Sequence, residues 1–172
     1  MKIAGIVNDS VVDGTGWRLT VFTQGCPHHC KSCHNPETWD YNGGTEMSVT
    51  EILEKYKSNS LLDGITLSGG EPFIPERHAE LLELVKEIKK LGGDIWAYSG
   101  YVLEELLQSY SDILEHIDYV VDGLFMEDQK SLNISFRGST NQRIMKNMGD
   151  KWIDVSSDFD QWVSQTTPKP LN

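Results

Sequence analysis

The chain has 172 residues, 38% of them hydrophobic, which suits one compact domain with a single core better than two half-sized ones. Its 15 basic and 26 acidic residues leave a net charge of −11 and a pI near 4.8. That field repels phosphate backbones and anionic lipid surfaces, so neither nucleic acid nor a membrane is an expected partner.

The first apolar run, Ile3 to Val7, meets Asn8 and Asp9 before a signal-peptide core can develop. The first clear element is a strand. Trp17, Leu19, Val21 and Thr23 alternate with Arg18, Thr20, Phe22 and Gln24 up to Gly25, a period-two pattern rich in β-branched and aromatic residues. Ser48-Val49-Thr50-Glu51 has capping-box spacing, and Ile52, Leu53 and Tyr56 supply the apolar face of the helix it opens. A second strand, Gly64 to Leu67, runs into Ser68-Gly69-Gly70-Glu71-Pro72. Pro75 opens a helix with Leu81, Leu82, Leu84, Val85 and Ile88 on one stripe, and Gly92-Gly93 stops it.

Asp94 to Tyr98 is a third strand, Val102 to Gln108 and Asp112 to Ile117 are short helical pieces, and Asp118 to Asp122 is a fourth strand. Strands alternating with helices predict βαβ units and a parallel sheet. Beyond Gly123 the pattern weakens to a short helix near Glu127 to Leu132 and strand-like pieces around Ile134 and Ile144. The tail from Ser156 to Asn172 reads as a C-terminal extension, docked or flexible, on a domain spanning residues 1–155.

All three cysteines fall in one eight-residue run, Cys26-Pro27-His28-His29-Cys30-Lys31-Ser32-Cys33, directly after the first strand. An odd number so tightly packed is not a disulfide framework, and a reducing cytoplasm with a metal-type role is the expected setting. Three thiolates can hold three irons of a 4Fe–4S cube, which ordinarily takes four, so one iron is open to a small molecule if no fourth protein ligand closes the site. The competing reading is a Cys₃His zinc site completed by His28, His29 or His34.

At these residues the chain resembles the radical S-adenosylmethionine (SAM) superfamily. It is similar in particular to the activating proteins of anaerobic ribonucleoside-triphosphate reductase. The resemblance runs from about Ile6 to Ile144 and rests on separate motifs. They are Val12-Asp13-Gly14-Thr15-Gly16-Trp17-Arg18, the CxxxCxxC loop, His34-Asn35-Pro36-Glu37-Thr38-Trp39, Ser68-Gly69-Gly70-Glu71-Pro72 and Tyr98-Ser99-Gly100-Tyr101. Val121-Asp122-Gly123-Leu124-Phe125 and Phe136-Arg137-Gly138-Ser139-Thr140-Asn141-Gln142-Arg143 separate this subgroup from other glycyl-radical activases. Many members place an aromatic residue before the third cysteine; here it is Ser32, which leaves His34 or Trp39 to meet the adenine.

The resemblance implies an α/β fold, a single-domain incomplete βα barrel of parallel strands. It implies a 4Fe–4S cluster on Cys26, Cys30 and Cys33, with SAM contacted by Ser32, Cys33, His34, Gly69, Gly70, Glu71 and Ser99. Within that reading the backbone of Gly69 and Gly70 and the Glu71 carboxylate meet the SAM ammonium, and Ser99 meets its ribose or carboxylate. Asp13 and Arg18 either meet the substrate or shape the first strand's approach. Arg137, Asn141, Gln142 and Arg143 either seat the partner's glycine-bearing loop or pack locally. The implied partners are the large reductase subunit and an electron donor such as a flavodoxin. Two other functions stay open: a radical SAM enzyme acting on a small molecule, and a non-enzymatic zinc-binding module.

Overall fold

The computed structural model describes residues 1–160. Strands β1 (Lys2–Ser10), β2 (Arg18–Thr23) and β3 (Thr45–Glu46) come first, then helix α1 (Val49–Lys57) and β4 (Gly64–Gly69). Helix α2 (His78–Lys90), β5 (Asp94–Tyr98), α3 (Leu103–Ser109), α4 (Ser111–Leu114) and β6 (Tyr119–Asp122) follow, and β7 (Arg143–Asn147) and β8 (Trp152–Asp154) close the described chain. The strands form one mixed eight-stranded sheet in the order β3-β1-β2-β4-β5-β6-β7-β8.

The four central strands β2, β4, β5 and β6 run parallel, each joined to the next by a crossover that carries helix, as parallel pairing requires. The outer strands are antiparallel, which corrects the wholly parallel sheet expected from the alternation of elements. β1 escapes a period-two reading because register shifts between Ile3 and Gly5 and between Val7 and Ser10 break its alternation. Only Ile3 and Ser10 of its nine residues are buried. β3 and β8 are two and three residues long, too short to carry a pattern. No strand forms at Ile134, where the chain bends, and the helix near Glu127 is a single 3₁₀ turn, Glu127–Gln129.

Parallel register lines Leu19, Ile65 and Ile95 in one row and Val21, Leu67, Ala97 and Val120 in the next. These rows join Ile52 of α1, Leu81, Leu84 and Ile88 of α2, Leu106 of α3 and Ile113 of α4 in the main core. Each fully buried aliphatic side chain there contributes about 1.5–3 kcal/mol relative to exposure. The helix-covered face therefore carries the stability. Helix α1 begins on the expected capping box: Glu51 N donates to Ser48 Oγ at 3.2 Å, and Ser48 N donates to Glu51 Oε2 at 2.8 Å.

On the opposite face a smaller aromatic cluster forms around Trp96, which stacks on Tyr119 with centroids 4.4 Å apart. Residues 156–160, where the sequence predicts a C-terminal extension to start, are helical, and Phe159 packs edge-on against Trp96 and Phe136. The rest of that expected extension, residues 161–172, lies outside the described residues.

Candidate functional site

The site is built where β2, β4 and β5 end. Gly25, at φ 93°, turns the chain out of β2, a conformation that favours glycine. From there Gly25 N donates to Thr38 O at 2.7 Å and Cys26 N to Trp39 O at 3.3 Å. The cysteine loop is thus tied at its base to the 3₁₀ turn Pro36–Thr38 that follows it. Inside the loop, His29 and Ser32 adopt φ of 47° and 58°, uncommon for residues with a Cβ. Cys33 N donates back to Cys30 O at 3.1 Å.

The three cysteines line one cavity of about 410 Å³ together with His34, Gly69, Gly70, Glu71 and Ser99. Of the residues expected to bind cofactor only Ser32 is outside that lining. Its side chain is exposed, and its hydroxyl donates to Glu127 Oε1 at 2.5 Å. Asp13, Trp39, Phe125, Arg137 and Gln142 complete much of the remaining wall. Burial pushes the Cys26 thiol above its ordinary pKa, with the nearby Glu71 charge adding to the rise, and burial does the same at Cys30.

The two glycines after β4 have a packing role that the sequence alone does not reveal. A Cβ on Gly69, whose φ is 88°, would lie 2.8 Å from Phe22 Cα and from Thr23 N. One on Gly70 would collide with the carbonyl oxygen of Gly25, the residue before Cys26. Gly70 N donates to Thr23 O at 2.8 Å and Glu71 N to Gly25 O at 3.0 Å. The glycine turn therefore fits against the root of the cysteine loop.

Glu71 is 1% exposed and its carboxylate is already used by the protein. Oε1 accepts from Phe73 N at 3.1 Å and Ser99 Oγ at 2.9 Å, while Oε2 accepts from Gly100 N at 2.9 Å and meets His28 Nε2 at 2.7 Å. The carboxylate expected to greet a ligand ammonium is thus already engaged by four groups of the protein and organises the wall. Ser99 is likewise engaged, since its hydroxyl donates to Glu71 and accepts from Tyr101 N at 3.1 Å. What Gly69, Gly70 and Ser99 still offer the cavity is backbone. His28, which composition alone gives no reason to prefer over its neighbour His29, emerges as the link between the cysteine loop and this wall.

Arg18 lies elsewhere. It is fully buried at the amino ends of the strands, donating to Thr66 Oγ1 at 3.0 Å and Ile65 O at 2.6 Å and paired with Asp94. Of its two alternatives, shaping the first strand is the one the structure holds. Asp13 lines the cavity, where its carboxylate accepts from Ser10 Oγ at 2.5 Å and Thr20 Oγ1 at 3.1 Å. The cationic block also divides. Arg143 is held by Asp122 at 2.5 Å and Glu104 at 2.8 Å, and Asn141 Nδ2 donates to Leu124 O at 2.8 Å. Arg137 lines the cavity, pairs with Asp160, and has a buried Nε with no partner among the described residues.

The donor set fits a 4Fe–4S cluster, because thiolate is the ligand such clusters use and all three thiols border one cavity. Among the described residues no three His, Cys, Asp or Glu side chains converge on one point as ligands of a single ion. Thiolates that each take a different iron need no common point.

The chain belongs to the family whose model is described as a 4Fe-4S single cluster domain, which matches residues 12–145. A protein of Escherichia coli (strain K12), the anaerobic ribonucleoside-triphosphate reductase-activating protein, is 39% identical over 140 residues, covering 77% of this chain and 90% of its own. Proteins of that name from Haemophilus influenzae and Enterobacteria phage T4 are 37% and 33% identical, covering 78% and 82% of this chain and 90% and 91% of theirs. These likenesses place the chain among the anaerobic ribonucleoside-triphosphate reductase-activating proteins. Among the described residues no helix is long and apolar enough to cross a membrane.

Proposed function

We propose that this chain is a radical SAM activase that generates a glycyl radical on anaerobic ribonucleoside-triphosphate reductase. The observation that carries this reading is the placement of Cys26, Cys30 and Cys33 on one cavity with the backbone of Gly69 and Gly70, at the carboxyl ends of parallel strands where α/β proteins bind ligands. In this reading the four central strands are the core of an incomplete radical SAM barrel, residues 1–155 are its domain and 156–172 its extension.

When bound and reduced, a 4Fe–4S cluster carrying SAM supplies a 5′-deoxyadenosyl radical, and the remaining work is positioning by the chain. Cys26, Cys30 and Cys33 hold three corners of the cluster. The backbone of Gly69 and Gly70 would meet the SAM ammonium, His34 or Trp39 would meet its adenine, and Cys33 and Ser99, which border the same cavity, would complete the contacts, with Ser32 outside that lining. Glu71 serves by fixing the wall. Arg137, which borders the same cavity, is the member of the cationic block that would meet a glycine-bearing loop, whereas the Gln142 amide is held by Gly138 N, Ser139 N and Gly123 O. A reactive radical must meet its Cα–H in a fixed, close geometry, so that loop enters the cavity mouth.

A reductant of the flavodoxin type supplies the electron, and the setting is a cytoplasm free of oxygen. Anaerobic mixing of the protein with the large reductase subunit, SAM and a reductant is expected to give a glycyl radical signal by electron paramagnetic resonance. SAM cleavage without that signal would remove the reductase as substrate and favour a small molecule.

A further inference from the structure

We propose that His28 is a positioning residue: through Glu71 it clasps the cysteine loop to the ends of β4 and β5, so that the cluster-bearing and cofactor-facing loops hold one fixed relation. The inference rests on the function proposed above and adds a device to it. Glu71 follows β4, Gly100 and Tyr101 follow β5, and His28 lies between the first two cysteines. One carboxylate therefore joins three separate stretches of chain.

The geometry is specific. Three protein donors, Phe73 N, Ser99 Oγ and Gly100 N, already point at the Glu71 carboxylate. His28 Nε2 lies 2.7 Å from Oε2 and completes the set in the tautomer that carries its proton on Nε2. The pair is shielded, with side-chain exposures of 12% for His28 and 1% for Glu71. Tyr101 closes over the imidazole edge-on, with ring centroids 4.5 Å apart. The space beside Gly100 is filled by the imidazole, and a Cβ there would collide with it. Across the loop, His29 stacks nearly parallel on Trp39 with centroids 4.7 Å apart. The segment between Cys26 and Cys30 is thus gripped on two sides by protein contacts alone. A hydrogen bond to a buried carboxylate is among the stronger kinds, and partners behind a metal's ligands commonly tune what the metal binds.

The test compares wild type, His28→Ala and His28→Gln after anaerobic cluster reconstitution. His28→Ala is expected to keep the wild-type iron and sulfide content, because no ligand atom is lost. Its SAM affinity is expected to fall about tenfold, the usual scale for such a partner, with a broadened paramagnetic resonance spectrum of the reduced cluster when SAM is added. His28→Gln places an amide nitrogen where Nε2 lies and is expected to regain both properties. Wild-type affinity and spectrum in His28→Ala would overturn the clasp, as would a loss of iron that His28→Gln does not restore, which would make the imidazole a ligand. Should wild type itself bind no SAM, the proposed function fails, and the clasp is read in the metal-free chain. There His28→Ala is expected to speed amide hydrogen exchange over residues 26–33 and 99–101, and unchanged exchange would overturn it.

Discussion

Two buried polar networks sit at opposite ends of the same parallel strands. At the amino ends Arg18 spends its guanidinium on Thr66, Ile65 O, Thr15 O and Asp94. At the carboxyl ends Glu71 spends its carboxylate on Phe73, Ser99, Gly100 and His28. Both are fully satisfied, and burial does not separate them, since Arg18 is 0% and Glu71 1% exposed. The difference lies in what they border. Arg18 fills its space and pairs with an opposite charge, whereas Glu71 forms part of the lining of a cavity that also holds three thiols. A buried charge is therefore no sign of function until its surroundings are known.

The comparison breaks most visibly at the carboxyl end. Cys30→Ala is expected to abolish cluster assembly and SAM cleavage together while leaving the thermal unfolding of the metal-free chain near wild type, since Cys30 is only part-buried. Iron analysis and a melting curve on one preparation check both halves; collapse of the metal-free fold would mean that the loop is structural. The mirror change, Arg18→Met, is expected to cost about 3 kcal/mol by urea unfolding. That is the low end for a broken buried pair, because the Asp94 side chain is 35% exposed and water can reach it. A loss below about 1 kcal/mol would mean that the amino-end network contributes no more than a surface pair.

Gly70→Val sharpens the carboxyl side further. Its Cβ would meet the Gly25 carbonyl, so the variant is expected to displace the root of the cysteine loop and lower iron uptake as well as SAM affinity, each by about tenfold. Full iron content with weakened SAM binding would instead show the glycine facing the ligand alone. The smallest expected effect lies away from both networks. Ser48→Ala removes the cap of α1 and should lower stability by about 1 kcal/mol, with SAM affinity unmoved; a change in affinity would couple that helix to the site.

The sequence shows the centre of this molecule better than its edges. Helix α2 is legible because Leu81, Leu84, Val85 and Ile88 repeat at helical spacing and all become buried. Strand β1 is not, because its bulges break the alternation that marks a strand. At the site, the spacing of Cys26, Cys30 and Cys33 is local information, and the structure gathers all three on one cavity. The partners of Glu71 and Ser99 are not local. His28 lies 43 residues from Glu71, and Ser99 lies 28 away, so only the sheet order reveals that a carboxylate expected to meet a ligand is already shared among three loops. The same holds for Arg137, whose place on the cavity depends on the irregular stretch after β6.

The central claim is that the Cys26, Cys30 and Cys33 thiolates hold a cluster with one iron open to SAM. Its most direct test is paramagnetic resonance of the reduced, anaerobically reconstituted protein with SAM labelled by ¹⁵N and ¹⁷O in its methionine amine and carboxylate. Hyperfine coupling from those labels to the cluster is the expected result. A cluster showing no such coupling, with a fourth protein ligand on the remaining iron, would contradict it.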